Sequence, residues 1–179
     1  PYSYLLESAA QGGEKWSRYS VVGLPSSQVI RICGSAVSIE KGGEVIESLT
    51  TDDPLDFVEN FRKQFRYPDI PNLPIYTGGL VGYFGYDTVR FVERKLRDSA
   101  PPDTIGCPEI LLMVSNEFIV FDNVEAKIHL VTHAQADDPD ALEKSTRCLD
   151  EMQAALNSEV PPEIRKPVRG PAIHEADFV

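Results

Sequence analysis

Apolar and polar side chains alternate along much of the first 50 positions, a pattern typical of half-buried β-strands. In the opening stretch Tyr2–Ser8, Tyr4 and Leu6 fall on one face, and Leu5 and Glu7 fall on the other. The start of the chain therefore predicts a β-strand with apolar residues on both faces.

A glycine-containing loop, Ala9–Ser17, follows this strand, and Arg18–Val22 resumes the extended pattern. The pair brings the hydroxyl of Ser8, the carboxylate of Glu7 and the guanidinium of Arg18 near the ends of adjacent strands. Such a set, beside apolar side chains, is suited to hold a zwitterion with a hydrophobic tail. The alternative is an ordinary hairpin with solvated side chains, and the spacing alone favours that alternative.

Further strands are predicted by alternation between turn residues. Three short ones with tight glycine turns form an antiparallel meander: 27–33, 36–40 and 44–47. Four more follow later: 78–84, 109–113, 117–121 and 126–132.

Helices are predicted where apolar residues recur every three or four positions. Asp53 and Pro54 begin one that extends over 54–66, and a short one follows Asp87. A third opens at 137–140 and extends to about residue 157, with Leu142, Leu149, Met152 and Leu156 predicted to point inward. The predicted fold class is α+β, a largely antiparallel β-sheet with packed helices.

Composition and charge exclude several classes of partner. The 179 residues suggest one domain, and 17 basic against 28 acidic residues give a net charge of −11. This charge argues against nucleic acid and against an anionic membrane as partners. Three widely spaced cysteines and the absence of a long apolar run predict a cytoplasmic protein without disulfides or a membrane span.

Catalytic and metal-binding patterns do not stand out. The glycines of Gly78–Gly85 lack the spacing of a nucleotide-binding loop, so close packing explains them better. His129 and His133 have no carboxylate or cysteine placed by sequence to complete a metal site. We therefore predict no catalytic residue, no metal site and no cofactor within this chain.

Two motifs carry a family resemblance: Leu5-Leu6-Glu7-Ser8 followed by Arg18-Tyr19-Ser20, and the glycine-rich stretch Gly78–Arg90. Together they resemble the N-terminal region of the anthranilate synthase component I family, which uses chorismate in tryptophan synthesis. The resemblance covers most of residues 1–155. It implies a fold like half of that family's layered α/β sandwich.

The resemblance also implies a function. Leu6, Glu7, Ser8 and Arg18 match the family's site for L-tryptophan, the feedback inhibitor. Ser8 and backbone carbonyls would accept from the ligand ammonium, Glu7 would supply negative potential, and Arg18 would position the carboxylate or brace Glu7. Chorismate and Mg²⁺ would bind the C-terminal half, so this chain alone is expected not to be catalytic.

The implied partners are a glutamine amidotransferase subunit (component II) and the protein's own C-terminal catalytic domain. We expect residues 1–157 to form the tryptophan-sensing regulatory domain. Residues 158–179 are expected to be a linker and the start of the catalytic domain, since both ends of the chain look cut. Two alternatives remain open: the equivalent region of aminodeoxychorismate synthase component I, from folate biosynthesis, and a stand-alone amino-acid-binding domain.

Overall fold

A computed structural model describes residues 2–7, 18–66, 71, 74, 76–97, 99 and 103–159. Ser8, the loop Ala9–Ser17 and residues 160–179 of the predicted linker lie outside these ranges. The strands within them are β1 (Tyr4–Glu7), β2 (Tyr19–Gly23), β3 (Gln28–Cys33), β4 (Ala36–Lys41), β5 (Glu44–Thr50), β6 (Gly79–Phe84), β7 (Ile110–Ser115), β8 (Glu117–Asp122) and β9 (Lys127–Thr132). The α-helices are α1 (Pro54–Arg62), α2 (Val89–Val92) and α3 (Ala141–Asn157).

The strands form two antiparallel sheets, which confirms the predicted α+β class. The four-stranded sheet has the order β1-β2-β8-β9, and the five-stranded sheet has the order β5-β4-β3-β7-β6. Alternation along the chain had predicted the strands but not their division between two sheets.

The two sheets are joined by short connections. β7 passes into β8 through the single residue Asn116, and β2 passes into β3 through residues 24–27. The hydroxyl of Ser26 lies 2.8 Å from the carbonyl oxygen of Gln28 and 2.7 Å from that of Val114, which share its one proton, and it accepts from the backbone N–H of Gln28 at 3.2 Å. These bonds hold the bend at which neighbouring strands leave one sheet and enter the other.

The larger core lies between α1 and the five-stranded sheet. Asp53 caps α1 by accepting from the backbone N–H of Asp56 at 3.0 Å, and Pro54 occupies the first helical turn. The helix buries Val58 and Phe61 against the sheet, as its periodicity predicted. It ends at Arg62, four residues before the predicted end, and Phe65 still packs against this core.

The third helix, α3, packs against β9, the edge strand of the four-stranded sheet. Met152 is buried, as predicted, but the inward orientation predicted for Leu142 and Leu156 is wrong, because they are 79% and 42% exposed. The helix packs mainly against this strand at the edge of the sheet, so it buries only a narrow stripe. Among the residues that the structure describes, no helix is long and apolar enough to cross a membrane.

Candidate functional site

The predicted ligand strand, β1, is an edge strand. Its register with β2 places Tyr4 opposite Gly23, and a side chain on Gly23 would collide with the Tyr4 ring, since a Cβ there would lie 1.9 Å from Tyr4 Cε1. The glycine thus leaves room for the tyrosine ring to lie across β2. This packing explains why a glycine stands at position 23.

Three hydroxyl groups anchor β1 to the rest of the fold. The Tyr4 hydroxyl lies 2.5 Å from that of Tyr76 and 2.5 Å from that of Ser115. Ser115 is only 3% exposed, and burial raises the pKa of Tyr4 well above its ordinary value. The three groups therefore form a neutral hydrogen-bonded cluster that fixes the start of β1.

Beyond Tyr4 the strand is uncovered. Leu5 is 59% exposed, Leu6 is 44% exposed and Glu7 is also exposed. Leu6 pairs with Val21 and Glu7 with Ser20, so their side chains lie on opposite faces of the sheet. A ligand that contacts both must therefore lie along the open edge of β1, where half of the strand's peptide groups point away from β2.

Arg18, just before β2, is held by carboxylates. Its Nε donates to both Asp122 oxygens at 3.0 Å, and its Nη2 donates to Asp122 at 2.6 Å and to Glu125 at 3.0 Å. The guanidinium also lies over the Tyr19 ring, 4.9 Å from its centre. Arg18 keeps 39% of its side chain exposed. Its Nη1 has no acceptor among the described residues.

Asp122 is the residue that fixes Arg18. Its side chain is 3% exposed, and it also accepts from the backbone N–H groups of Val124 and Glu125, each at 3.0 Å. The hydrogen bonds from Arg18 are the main reason that the pKa of Asp122 falls to about 2, and the two backbone donors add to this effect. Asp122 is thus a buried carboxylate that stays ionised and orients the guanidinium.

The structure places three of the four predicted site residues. Leu6 and Glu7 lie on β1, and Arg18 lies two residues before Ser20, the partner of Glu7, or about 7 Å along the strand. Ser8 lies outside the described residues. Sequence analysis did not identify Asp122 and Glu125 as partners of Arg18, because they lie 104 and 107 residues away along the chain.

A second concave feature lies at the other end of the four-stranded sheet. A cavity of about 560 Å³ is lined by residues that include Gln28, Tyr76, Asn116 and His133. Asn116 and Asp122 bracket β8, so the cavity and Arg18 are separated by about 20 Å. Sequence analysis gave no indication of this cavity, because its lining comes from five separate segments.

His133 is half-buried beside that cavity. Its ring lies edge-on to Phe118, with ring centres 5.8 Å apart, and burial lowers the pKa of His133. Its Nδ1 lies 3.4 Å from Oδ1 of Asn116. The described part of the chain holds no group of three or more His, Cys, Asp or Glu side chains that could bind a metal ion.

Comparison with known proteins agrees with the motif resemblance. Anthranilate synthase component 1 of Pseudomonas putida is 46% identical over 178 residues, which cover 99% of this chain and 36% of that protein. Anthranilate synthase component 1 of Neisseria meningitidis serogroup B is 43% identical over 159 residues, which cover 87% of this chain and 32% of that protein. The chain therefore spans about a third of the length of these relatives. No protein-family model matches it.

A solved structure gives the same result. The crystal structure of anthranilate synthase component I from Streptococcus pneumoniae matches with a TM-score of 0.63 and 27% sequence identity. The match covers 88% of this chain and 33% of that one. Fold, motifs and relatives agree, and the chain belongs to the anthranilate synthase component I family, spanning about a third of the length of these members.

Proposed function

We propose that this chain is the N-terminal regulatory region of an anthranilate synthase component I, which converts chorismate to anthranilate in tryptophan biosynthesis. Its role is to supply the L-tryptophan feedback site. In the full-length protein, a lyase, the catalytic groups and Mg²⁺ would belong to the C-terminal domain. The partners would be that domain and a glutamine amidotransferase subunit.

The observation that carries this proposal is the uncovered edge of β1 beside an oriented guanidinium. Leu5 and Leu6 expose apolar surface, Glu7 follows them, and Asp122 holds Arg18, one of whose nitrogens has no acceptor among the described residues. An aromatic amino acid presents a matching set of groups: a carboxylate for Arg18, an ammonium for the Glu7 end of β1 and an apolar ring for Leu6.

Feedback inhibition then follows if this region and the catalytic domain can pack against each other in two ways. If tryptophan binds between β1 and the catalytic domain, it stabilises the arrangement in which that site is complete. Inhibition requires that arrangement to be the less active one. Couplings between such sites are typically about 1–3 kcal/mol, or roughly 5- to 150-fold in affinity.

The test uses the full-length protein with chorismate, Mg²⁺ and ammonia, and follows anthranilate fluorescence with and without L-tryptophan. We expect tryptophan to suppress anthranilate formation. Ser8→Ala and Glu7→Gln should each raise the tryptophan concentration needed for half-inhibition at least tenfold, with uninhibited turnover near that of the wild type. Glu44→Gln, at an exposed strand position in the five-stranded sheet, is the matched control.

Two results would reject parts of the proposal. Unchanged inhibition in both variants would remove Glu7 and Ser8 from the effector site. Consumption of chorismate without anthranilate would assign the chain to an aminodeoxychorismate synthase instead.

A further inference from the structure

The N–H donors of the Arg18 guanidinium are divided between two carboxylates. A guanidinium has five such donors in one plane, one on Nε and two on each Nη. Asp122 takes the side-on edge, because it accepts from Nε at 3.0 Å and from Nη2 at 2.6 Å. This leaves the second hydrogen of Nη2 for Glu125, whose oxygen lies 3.0 Å away. Asp122 therefore occupies one edge of the guanidinium, and Glu125 occupies part of the other.

The edge formed by Nη1 and Nη2 is the one on which a ligand carboxylate can bind. Carboxylates bind a guanidinium most strongly through two parallel N–H···O bonds to neighbouring nitrogens. Asp122 closes the Nε–Nη2 edge, since its side chain is 3% exposed and two backbone N–H groups also hold it. A ligand that makes both bonds must therefore use Nη1 together with the Nη2 hydrogen that contacts Glu125.

Glu125 is held less firmly than Asp122. Its side chain is 46% exposed, and its Oε1 contacts Arg18 while its Oε2 accepts from Lys127 Nζ at 2.8 Å. Lys127 is the main reason that the pKa of Glu125 is lowered, and Arg18 contributes less to this shift. Exposed ion pairs contribute little free energy, so a ligand can displace Glu125 from Arg18 at small cost. Once displaced, Glu125 would still be paired with Lys127.

We propose that Glu125 is an internal competitor in the effector site: its carboxylate occupies the position on Arg18 that the carboxylate of a bound amino acid takes. Asp122 is the positioning residue, because it fixes the guanidinium whichever carboxylate is bound. This inference rests on the proposed function, in which Arg18 receives the carboxylate of tryptophan. The two acidic partners of Arg18 then have opposite effects, since Asp122 strengthens ligand binding and Glu125 weakens it.

The test measures inhibition by L-tryptophan in the full-length protein with chorismate, Mg²⁺ and ammonia. Glu125→Ala should lower the tryptophan concentration for half-inhibition about two- to fivefold, the usual contribution of an exposed ion pair. Glu125→Gln keeps an acceptor without the charge and should change it less, in the same direction. Asp122→Asn should raise it about tenfold or more, because the guanidinium is no longer fixed for paired bonds. Each value is taken relative to the uninhibited rate of the same variant, so a change in activity does not enter the comparison.

Two controls separate competition from a general change in charge. Glu59→Ala removes another exposed carboxylate that contacts an arginine and a lysine, because Glu59 lies 2.8 Å from Arg62 and 3.6 Å from Lys63 on the surface of α1. It should leave the half-inhibition concentration unchanged. The second control is L-tryptophanamide, which has no carboxylate. It should inhibit Glu125→Ala no more strongly than it inhibits the wild type.

Three results would overturn the inference. An unchanged or higher half-inhibition concentration in Glu125→Ala would show that Glu125 does not compete with tryptophan. An equal gain for tryptophan and tryptophanamide, or the same gain in Glu59→Ala, would show that the change in charge alone is responsible. A wild-type protein that forms anthranilate but is not inhibited by tryptophan would reject the proposed effector site itself, and that failure is seen before any variant is made.

Discussion

Apolar residues are buried on the α1 face of the five-stranded sheet but exposed on the β1 edge of the four-stranded sheet. Under α1, Ile30, Ile32 and Ile110 have no exposed surface. On β1, the neighbouring residues Leu5 and Leu6 keep 59% and 44% of theirs, although they lie on opposite faces. Burial of apolar surface under α1 stabilises the folded chain, whereas the apolar surface of β1 could be buried only by a bound molecule or another part of the protein.

Under the proposed function, this contrast places stability and ligand binding in different parts of one small fold. Burial contributes roughly 25 cal/mol per Å² of apolar surface, so the α1 face supplies most of the core energy. An edge that contributes little to folding can change its contacts without unfolding the domain. Such an edge is where a regulatory ligand can act at low cost to the protein.

The largest expected difference between the two regions is the effect of shortening one apolar side chain in each. Ile32→Ala should lower the free energy of unfolding of the chain by about 2–5 kcal/mol, because it opens a cavity in a filled core. Leu5→Ala should change it by less than about 0.5 kcal/mol, because the site is already wet. Urea unfolding followed by circular dichroism measures both. Similar losses for the two variants would contradict the contrast.

Replacing one glycine in each sheet compares how well the two sheets tolerate an added Cβ. A Cβ on Gly82 would lie 1.9 Å from the carbonyl oxygen of Leu111, so Gly82→Ala must push β6 and β7 apart. We expect a loss of about 1–3 kcal/mol in urea unfolding. Gly23→Ala should cost less, because the atoms in its way belong to the Tyr4 side chain, which can move. A larger loss at Gly23 would show that the β1 anchor is more rigid than the five-stranded sheet.

The hydroxyl cluster predicts a smaller effect. Tyr4→Phe removes the shared partner of Tyr76 and Ser115 and should lower the free energy of unfolding by about 1 kcal/mol. It should also increase amide hydrogen exchange along β1 more than in the five-stranded sheet. Tyr86→Phe is the control. Tyr86 is 93% exposed, so the loss of its hydroxyl should not measurably change the free energy of unfolding. Equal exchange in both sheets would rule out an anchoring role.

The smallest expected effect is the loss of the Arg18–Asp122 ion pair at low pH. The pKa of Asp122 is lowered to about 2 in the folded chain by Arg18, below the value of about 3.9 for an unfolded chain. The ion pair therefore contributes its full stability above pH of about 4, and loses it as the pH falls towards 2. Carboxyl NMR should show Asp122 titrating near 2 in the wild type and higher in Arg18→Gln. An Asp122 that titrates near 3.9 in the wild type would mean that the pair does not form.

Much of the secondary structure could be predicted from local patterns. Alternation located the strands from β1 to β9, and the Asp53-Pro54 signal located the start of α1, because each depends on neighbouring residues only. The family motifs singled out Glu7 and Arg18 without any geometry. The inward orientation assigned to Leu142 failed, since periodicity identifies a helix stripe but not the width of the surface that covers it.

The sequence by itself determined which residues share a strand face and where α1 and α3 begin, because backbone geometry imposes those periods locally. The sequence also predicted the meander of β3, β4 and β5 and the pairing of β1 with β2, but tertiary structure alone decided that β2 lies beside β8 and β3 beside β7. That choice brings Arg18 to Asp122 across 104 residues and Tyr4 to Ser115 across 111. It also decided that β1 lies at an edge, where its leucines stay exposed. Such contacts depend on the packing of the whole chain, and no local pattern contains them.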